Sequence, residues 1–424
     1  MGGPYQCCQP RVIGTIGFSG RESDRNQIGQ YSAMTARLQR WHVPMSGRDP
    51  TESHRAATPL ELLFDLCFVV AVAQASIALH HELVDGHLIA GTISYLMVFF
   101  AIWWAWINFT WFASAYDTDD VLYRLLTFVQ IAGVLVIAAG VARTFEGLDY
   151  VTVTVGYLIM RVGLVAQWVR AAREHNQRAP TAMRYAIGIG VLQVGWIARL
   201  FLPPDLGAAG FPVLVALEMS VPWWAERAGT TPWHRGHIAE RFGLFTIIVL
   251  GECVLAATTA IQEAITESGL SWDLVLLALG ALVLIGAMWW AYFKHNAAED
   301  RDLHQETAFL WGYGHYVVFA AVAAVGAGLN VAADLTHEEA AIGPMTAALV
   351  VAVPVAIYLV TAWLVNSSGR AGAIFRPVLL AVVLVLAAAV GIGPNSVPLS
   401  VLAMGLIVAS LVAVSAYRAS RLPS

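Results

Sequence analysis

Two carboxylates lie four residues apart at the start of a long apolar segment. Glu61 and Asp65 fall within residues 59–70, PLELLFDLCFVV. Four residues is about one turn of an α-helix, so both side chains lie on one helix face. A carboxylate near the centre of a bilayer costs roughly 2.5–3.5 kcal/mol on insertion scales, and it therefore faces a protein interior, a cavity or a partner. This face is the first candidate for a site that binds an ion.

Other ionisable side chains fall well inside predicted helices. These are Arg161, Glu218, Glu252 and His315. An arginine at mid-bilayer depth needs an acidic partner or a wet cavity, and we expect Asp65 and Glu252 to be the partners of Arg161. Two interpretations stay open for such a polar core. It is a buried ion pair that only fixes helix packing, or it binds a proton or cation and changes protonation as access alternates.

Glu61 has a second interpretation that involves no ion. It follows Thr58 and Pro59, a cap-then-proline pattern that begins helices, and a carboxylate in the first turn favours the helix amino terminus. At this position Glu61 lies near the headgroups.

The composition of the chain indicates that the helices carrying these residues lie in a membrane. The chain is 58% hydrophobic and 12% charged, against roughly 25% charged residues in soluble domains. A bilayer core needs about 20 apolar residues per helix. The apolar runs do not alternate as barrel strands would, so we predict an all-α polytopic bundle of about twelve helices. The stretches are 60–80, 88–113, 121–142, 150–170, 183–202, 208–226, 240–261, 272–293, 306–330, 342–365, 373–392 and 397–417.

The distribution of Lys and Arg predicts orientation. Of the 24 such residues, 21 fall in the two tails and one set of alternate loops, two fall in the opposite loops, and Arg161 lies within a helix. Cytoplasmic loops carry the excess of basic residues. We therefore expect a multi-pass protein of the bacterial plasma membrane with both termini in the cytoplasm.

The chain divides into a tail and two similar halves. Residues 1–58 contain no apolar core of a signal peptide and are predicted to be a disordered basic cytoplasmic tail, with Met1, Met34 and Met45 as alternative starts. The tryptophan cluster at 103–106 is echoed at 289–292, and an acidic loop follows each cluster. These echoes predict a six-plus-six repeat, residues 59–235 and 236–424, with both halves in the same orientation.

Several chemistries have little support in the sequence. Histidines at 80–87 and 234–237 invite a metal interpretation, but no cysteine joins them, and we predict neither a metal nor a cofactor. There is no phosphate-cradling glycine loop, nucleophile elbow or zinc-protease motif. No basic block indicates nucleic acid. The tryptophan clusters are interpreted as interfacial aromatic belts.

Two segments together resemble the bacterial low temperature requirement A family. They are residues 58–69, TPLELLFDLCFV, and residues 239–252, AERFGLFTIIVLGE, and with the tryptophan pairs the resemblance extends from His54 to the end. Cys253 and Cys67 depart from the Ser and the aliphatic residue usual in the family, but no carboxylate is lost. The resemblance implies a multi-spanning bacterial plasma-membrane protein linked to growth in the cold, without a settled molecular activity.

The leading functional hypothesis is a secondary transporter or ion-translocating protein with a carboxylate and arginine site. Its partners are the lipid bilayer and a small solute, proton or cation. An ion channel is the nearest alternative. An intramembrane or lipid-modifying enzyme would need a nucleophile or metal set that the sequence scarcely offers, so an enzyme is the less favoured class. A structural membrane protein would tolerate loss of Asp65 and Glu252.

Overall fold

The computed structural model describes residues 41–52, 55–147, 149–294, 305–337, 341–366 and 371–420. Regular structure in these ranges is helical, and twelve α-helices follow the twelve predicted stretches. They are α1 (Pro59–Val84), α2 (Leu88–Tyr116), α3 (Val121–Gly147), α4 (Val151–Glu174), α5 (Ala179–Arg199), α6 (Pro204–Glu226), α7 (Arg235–Ser268), α8 (Trp272–Phe293), α9 (Gln305–Asp334), α10 (Pro344–Asn366), α11 (Ala371–Gly391) and α12 (Val397–Ser420).

The helices confirm a polytopic membrane protein. Ten of those described are long and apolar enough to cross a bilayer. The other two are α5 and α11, and α11 offers a shorter apolar segment, Arg376–Gly391. The all-α prediction is therefore confirmed, with twelve helices of which ten meet the criteria of length and composition for a span.

The first helix begins where its cap residues predict. The Thr58 hydroxyl accepts a hydrogen bond from the Glu61 amide at 3.3 Å, and the Glu61 carboxylate accepts one from the Thr58 amide at 2.7 Å. This reciprocal capping box satisfies two amides that have no partner within the helix, and Pro59 fits the first helical position because it has no amide to lose. The cap holds the Glu61 side chain at the amino-terminal end of α1.

The prediction of a disordered tail over residues 1–58 is wrong for the part that the structure describes. Met45 is fully buried in the hydrophobic core, and its amide donates to Glu174 at 2.6 Å. The Val43 amide donates to Asp120 at 2.8 Å. Residues 41–52 and 55–58 therefore pack on the bundle, where the buried Asp120 carboxylate before α3 and the partly exposed Glu174 carboxylate on α4 accept backbone amides of this segment. Residues 1–40 and 53–54 lie outside the described residues.

Glycines allow the closest helix contacts. A Cβ atom on Gly133 of α3 would approach the Gly156 carbonyl oxygen of α4 to 2.6 Å, and one on Gly156 would approach the Gly133 oxygen to 2.7 Å. In α8, a Cβ on Gly280 would lie 2.7 Å from the Leu402 amide nitrogen of α12. Small residues at such points let two backbones meet in a bilayer, where packing rather than hydrophobicity holds helices together.

The helix contacts agree with two halves, although the repeat itself stays a prediction. In the first six helices α1 packs on α3, α3 on α4, α4 on α5 and α5 on α6. The second six repeat this order, with α7 on α9, α9 on α10, α10 on α11 and α11 on α12. The extensive α8–α12 contact departs from this correspondence. Helices α1 and α2 contact α7 and α9 across the two halves.

The tryptophans in the middle of α2 differ from the aromatic belt predicted for them. Trp103, Trp104 and Trp106 are each at most 1% exposed. Trp289 and Trp290 at the end of α8 are about half exposed, as expected of residues at a membrane surface. The Trp104 and Trp106 indoles donate to buried carboxylates described below. The Trp103 nitrogen has no hydrogen-bond partner among the described residues, and its ring lies 5.2 Å from that of Tyr316 between centroids.

Candidate ion-binding site

Two helices present complementary charges at matching positions. Glu61 and Asp65 are the third and seventh residues of α1, and His237 and Arg241 are the third and seventh of α7. Each contacting pair, 61 with 237 and 65 with 241, differs by 176 residues. A constant difference means that α1 and α7 run parallel and side by side. An acidic face of the first half thus meets a basic face of the second.

The pair of Asp65 and Arg241 is bidentate and completely buried. Arg241 Nε lies 2.9 Å from Asp65 Oδ2, and Arg241 Nη2 lies 2.5 Å from Asp65 Oδ1. The Trp106 indole donates to Asp65 Oδ1 at 2.7 Å. Both charged side chains have 0% exposure. Asp65 therefore accepts from three N–H donors, which replace the hydrogen bonds that water would give an exposed carboxyl group.

Glu61 joins this pair to a histidine. Its Oε1 atom lies 3.1 Å from Arg241 Nη1 and 3.1 Å from His237 Nε2. Neither contact to Oε1 has hydrogen-bond geometry, and Glu61 Oε1, Arg241 Nη1 and His237 Nδ1 have no hydrogen-bond partner among the described residues. All three side chains are at most 1% exposed. These atoms leave the charge centre with unused hydrogen-bonding capacity.

Two further charged residues, Arg55 and Asp117, complete the group at the end where α1 begins. Arg55 donates to the carbonyl oxygens of Ser114 and Ala113, and its Nη2 atom lies 3.9 Å from Glu61 and 3.8 Å from Asp117. Asp117 caps the carboxyl end of α2. We call these six residues the inter-half cluster: Arg55, Glu61, Asp65, Asp117, His237 and Arg241. It contains three carboxylates, two guanidinium groups and one imidazole.

Asp117 has the pKa most suited to a change of charge near neutral pH among the cluster residues outside the spanning segments. Burial and the nearby Glu61 carboxylate raise the pKa of Asp117 to about 7, and Arg55 opposes this rise only in part. The folded chain therefore holds a proton there that the unfolded chain, with an Asp117 pKa near 3.8, has already released. This difference lowers stability as the pH rises from about 4 to about 7.

We expect Asp117→Asn to flatten this pH dependence. The wild-type chain should lose about 2 kcal/mol of stability between pH 5 and pH 7, whereas the variant, which cannot titrate at this position, should lose much less. The thermal midpoint of purified protein in detergent at pH 5, 6, 7 and 8 measures the effect. Asp85→Asn, at an exposed aspartate, is the matched control. Equal slopes for wild type and Asp117→Asn would contradict the assignment.

A second charge centre lies wholly within the first half. Arg161 of α4 lies 3.6 Å from Glu218 of α6, and both side chains are 1% exposed. Arg161 also donates to the Tyr157 hydroxyl. Glu218 accepts from three further N–H donors, which are listed here with their distances: Trp104 (2.8 Å), Trp196 (3.1 Å) and Gln193 (3.3 Å). The prediction that Asp65 or Glu252 pairs with Arg161 is wrong, since each guanidinium already has a carboxylate of its own.

Glu252 and His315 lie apart from both charge centres. Glu252 is 6% exposed, and no described residue forms a hydrogen bond or ion pair with its carboxylate. His315 is fully buried; its Nδ1 lies 2.9 Å from the Trp311 carbonyl oxygen and its Nε2 lies 2.9 Å from the Tyr292 hydroxyl. A carbonyl only accepts, so Nδ1 carries the proton and a neutral ring accepts from Tyr292. Ion binding by these two residues stays a prediction.

No group of three potential ligands suited to a metal occurs among the described residues. The predicted histidine groups have other partners. His80 lies 2.6 Å from Asp334, and His234 caps α7 through its contact with the His237 amide. The clustered charges are instead balanced mainly by one another.

Comparison with known proteins places the chain in a family. A family model described as bacterial low temperature requirement A protein matches residues 56–415. The chain belongs to this family. An uncharacterized protein of Rhizobium meliloti (strain 1021) is 28% identical over 302 residues, which cover 66% of this chain and 71% of that protein. No solved structure matches the chain.

The two segments that carried the family resemblance meet in space. Residues 58–69 supply Glu61 and Asp65, and residues 239–252 supply Arg241, so both contribute to the inter-half cluster. Arg241 and His237 were missed as site residues because α7 was predicted to begin at 240. This left His237 in the preceding loop and put Arg241 at the helix start, where it was counted with the basic loop residues. In the structure α7 begins at Arg235. The four-residue spacing of His237 and Arg241, equal to that of Glu61 and Asp65, was the available signal.

Proposed function

We propose that this family member is a secondary transporter or ion-translocating protein in which a proton or monovalent cation binds at the inter-half cluster. The charge balance of the cluster carries the proposal. Glu61, Asp65 and Asp117 supply three negative charges, and Arg55 and Arg241 supply two positive charges. An unmatched charge buried among helices is costly, so one further positive charge is favoured. A proton on His237 or Asp117, or a small cation, supplies it.

The position of the cluster suits access from one side of the membrane. Glu61 and Asp65 lie in the first two turns of α1, so Asp65 is about 9 Å from the helix start. Aromatic side chains pack on the inner side of Asp65. The Trp106 ring stacks on Phe245 with 4.3 Å between centroids, and the Phe64 and Phe109 rings are 3.9 Å apart. An ion bound at the cluster would cross only after this aromatic layer rearranges.

The parallel arrangement of α1 and α7 supports movement of one half against the other. Each helix begins its half, and their facing charges hold the two halves together at one end. Transporters built from parallel repeats place the site at the repeat interface and rock around it. Under this proposal both termini are cytoplasmic, as the excess of Lys and Arg on that side supports, and the cluster lies near the cytoplasmic face with its side chains closed off from solvent.

Flux measurements on proteoliposomes test the proposal. Purified chain is reconstituted in vesicles, and an imposed pH gradient is followed with a pH-sensitive dye in the vesicle lumen, with and without Na⁺, K⁺ and amino-acid-like solutes. We expect wild-type vesicles to dissipate the gradient faster than protein-free vesicles with at least one solute. His237→Gln should reduce flux to the protein-free rate, because it removes the titratable ring beside Glu61 while keeping a side chain that hydrogen-bonds.

His81→Gln changes an exposed histidine and is the matched control, expected to retain wild-type flux. Reconstituted protein is quantified in each vesicle preparation so that flux is compared per molecule. Wild-type flux in His237→Gln would argue against the cluster as the binding site. Absence of flux above protein-free vesicles for the wild-type chain with every solute would argue against transport itself.

A further inference from the structure

An apolar groove with two arginines at one end lies between α11 and α12. It has a volume of about 850 Å³. Its walls are formed by Pro377, Leu380, Ala381 and Leu384 of α11 and by Leu406, Ile407, Ser410, Leu411 and Val414 of α12. Arg376 and Arg418 also line it. Since α11 begins at the end where α12 finishes, both arginines lie at the same end of the groove.

The shape of the groove matches one leaflet of a bilayer. From Arg376 to Leu384 is eight residues, or about 12 Å along the helix. Half of the hydrocarbon core is about 15 Å. Leu380, Leu384, Leu406 and Val414 are between 43% and 59% exposed, so this apolar surface faces outward rather than into the bundle. The groove therefore runs from headgroup depth into the acyl-chain region.

Two charged side chains lie at one end of the groove. No described residue forms an ion pair with Arg376 or Arg418, and both side chains are exposed. Two arginines at the end of an apolar groove are complementary to one negatively charged headgroup above its acyl chains.

We propose that the α11–α12 groove binds an anionic phospholipid, with an acyl chain along the apolar walls and the headgroup phosphate at Arg376 and Arg418. A zwitterionic lipid has the same acyl chains but no net negative charge to attract the two arginines. An annular lipid would have no preference for this position. The site is separate from the inter-half cluster and does not depend on transport.

Native mass spectrometry of the full chain in non-ionic detergent tests this site. Dioleoyl phosphatidylglycerol or dioleoyl phosphatidylcholine is titrated, and retained lipid is counted per protein molecule. We expect one phosphatidylglycerol to bind more tightly than the rest and more tightly than phosphatidylcholine. Arg376→Gln combined with Arg418→Gln should weaken it about thirtyfold, because each basic residue contributes about a factor of five at an anionic surface.

Two further variants separate this site from general charge and from misfolding. Arg173→Gln with Arg227→Gln removes two exposed arginines elsewhere at the same end of the bundle and should leave the tight lipid in place. Ser410→Trp keeps both arginines but fills the groove, and should also expel the lipid. Equal affinity for the two lipids, or unchanged phosphatidylglycerol binding in both groove variants, would overturn the proposal.

Discussion

Asp65→Asn is expected to destabilise the chain by about 3–5 kcal/mol, because it leaves the Arg241 guanidinium buried without its bidentate carboxylate. Arg241→Gln should cost a similar amount, since it strands the Asp65 charge at 0% exposure. The double variant removes both charges and should be less destabilised than the sum of the single variants. The free energy of unfolding of the four proteins in detergent, arranged as a double-mutant cycle, gives the coupling energy.

The chain offers a control pair with the same geometry at the surface. Arg124 binds Asp119 through Nε at 2.8 Å and Nη2 at 2.9 Å, but the two side chains are 33% and 35% exposed. Asp119→Asn should cost at most about 1 kcal/mol, because water and salt screen an exposed pair. The buried pair differs from this surface pair in its burial and in the further contacts of Asp65 with Trp106 and of Arg241 with Glu61. Similar losses from Asp65→Asn and Asp119→Asn would contradict the expected cost of stranding a buried charge.

The order and approximate extent of the helices could be predicted from the sequence, because apolar runs of membrane length have few alternatives. The start of α1 could be predicted to the residue, since Thr58, Pro59 and Glu61 form a local signal that needs no tertiary information. The start of α7 was placed five residues too late. Its N-cap residue is His234, and histidine does not predict a helix start as Ser, Thr, Asp or Asn would.

The residues that form the charge centres were easier to predict than the pairing between them. Asp65, Arg161 and Glu218 all proved to be buried, as their positions in apolar segments indicated. Which cation meets which anion depends on how α1, α4, α6 and α7 pack, and no local pattern encodes that packing. The prediction for Arg161 was wrong because Asp65 and Glu252 were preferred as partners, whereas Glu218, two helices away in the same half, supplies the carboxylate.

The burial of the α2 tryptophans has the same cause. Trp104 and Trp106 each carry one N–H donor, and each donates to a buried carboxylate, Glu218 and Asp65 respectively. A tryptophan at the end of an apolar helix fits a membrane surface equally well when only the sequence is known. The two centres thus share α2, in which Trp104 and Trp106 are two residues apart and about 200° apart around the helix axis, so each indole reaches a different carboxylate.

The second large effect is expected at Glu218, and it should be asymmetric. Glu218→Leu removes the acceptor of Trp104, Trp196 and Gln193 and the carboxylate beside Arg161. Each buried donor left without an acceptor costs about 1–3 kcal/mol, and the stranded arginine costs more. Arg161→Met leaves Glu218 with all three N–H donors. We therefore expect Glu218→Leu to destabilise the chain by several kcal/mol more than Arg161→Met.

Exchange of the two charges distinguishes this centre from a simple ion pair. The Arg161→Glu and Glu218→Arg double variant keeps one cation and one anion at these two positions, which are 1% exposed in the wild-type chain. It also places a guanidinium, which cannot accept a hydrogen bond, beside the indole N–H donors of Trp104 and Trp196. The exchange should therefore be at least as unstable as Glu218→Leu when both are unfolded in detergent. Recovery of wild-type stability by the exchange would mean that charge pairing alone holds Arg161 and Glu218 together, and that the indole donors contribute little.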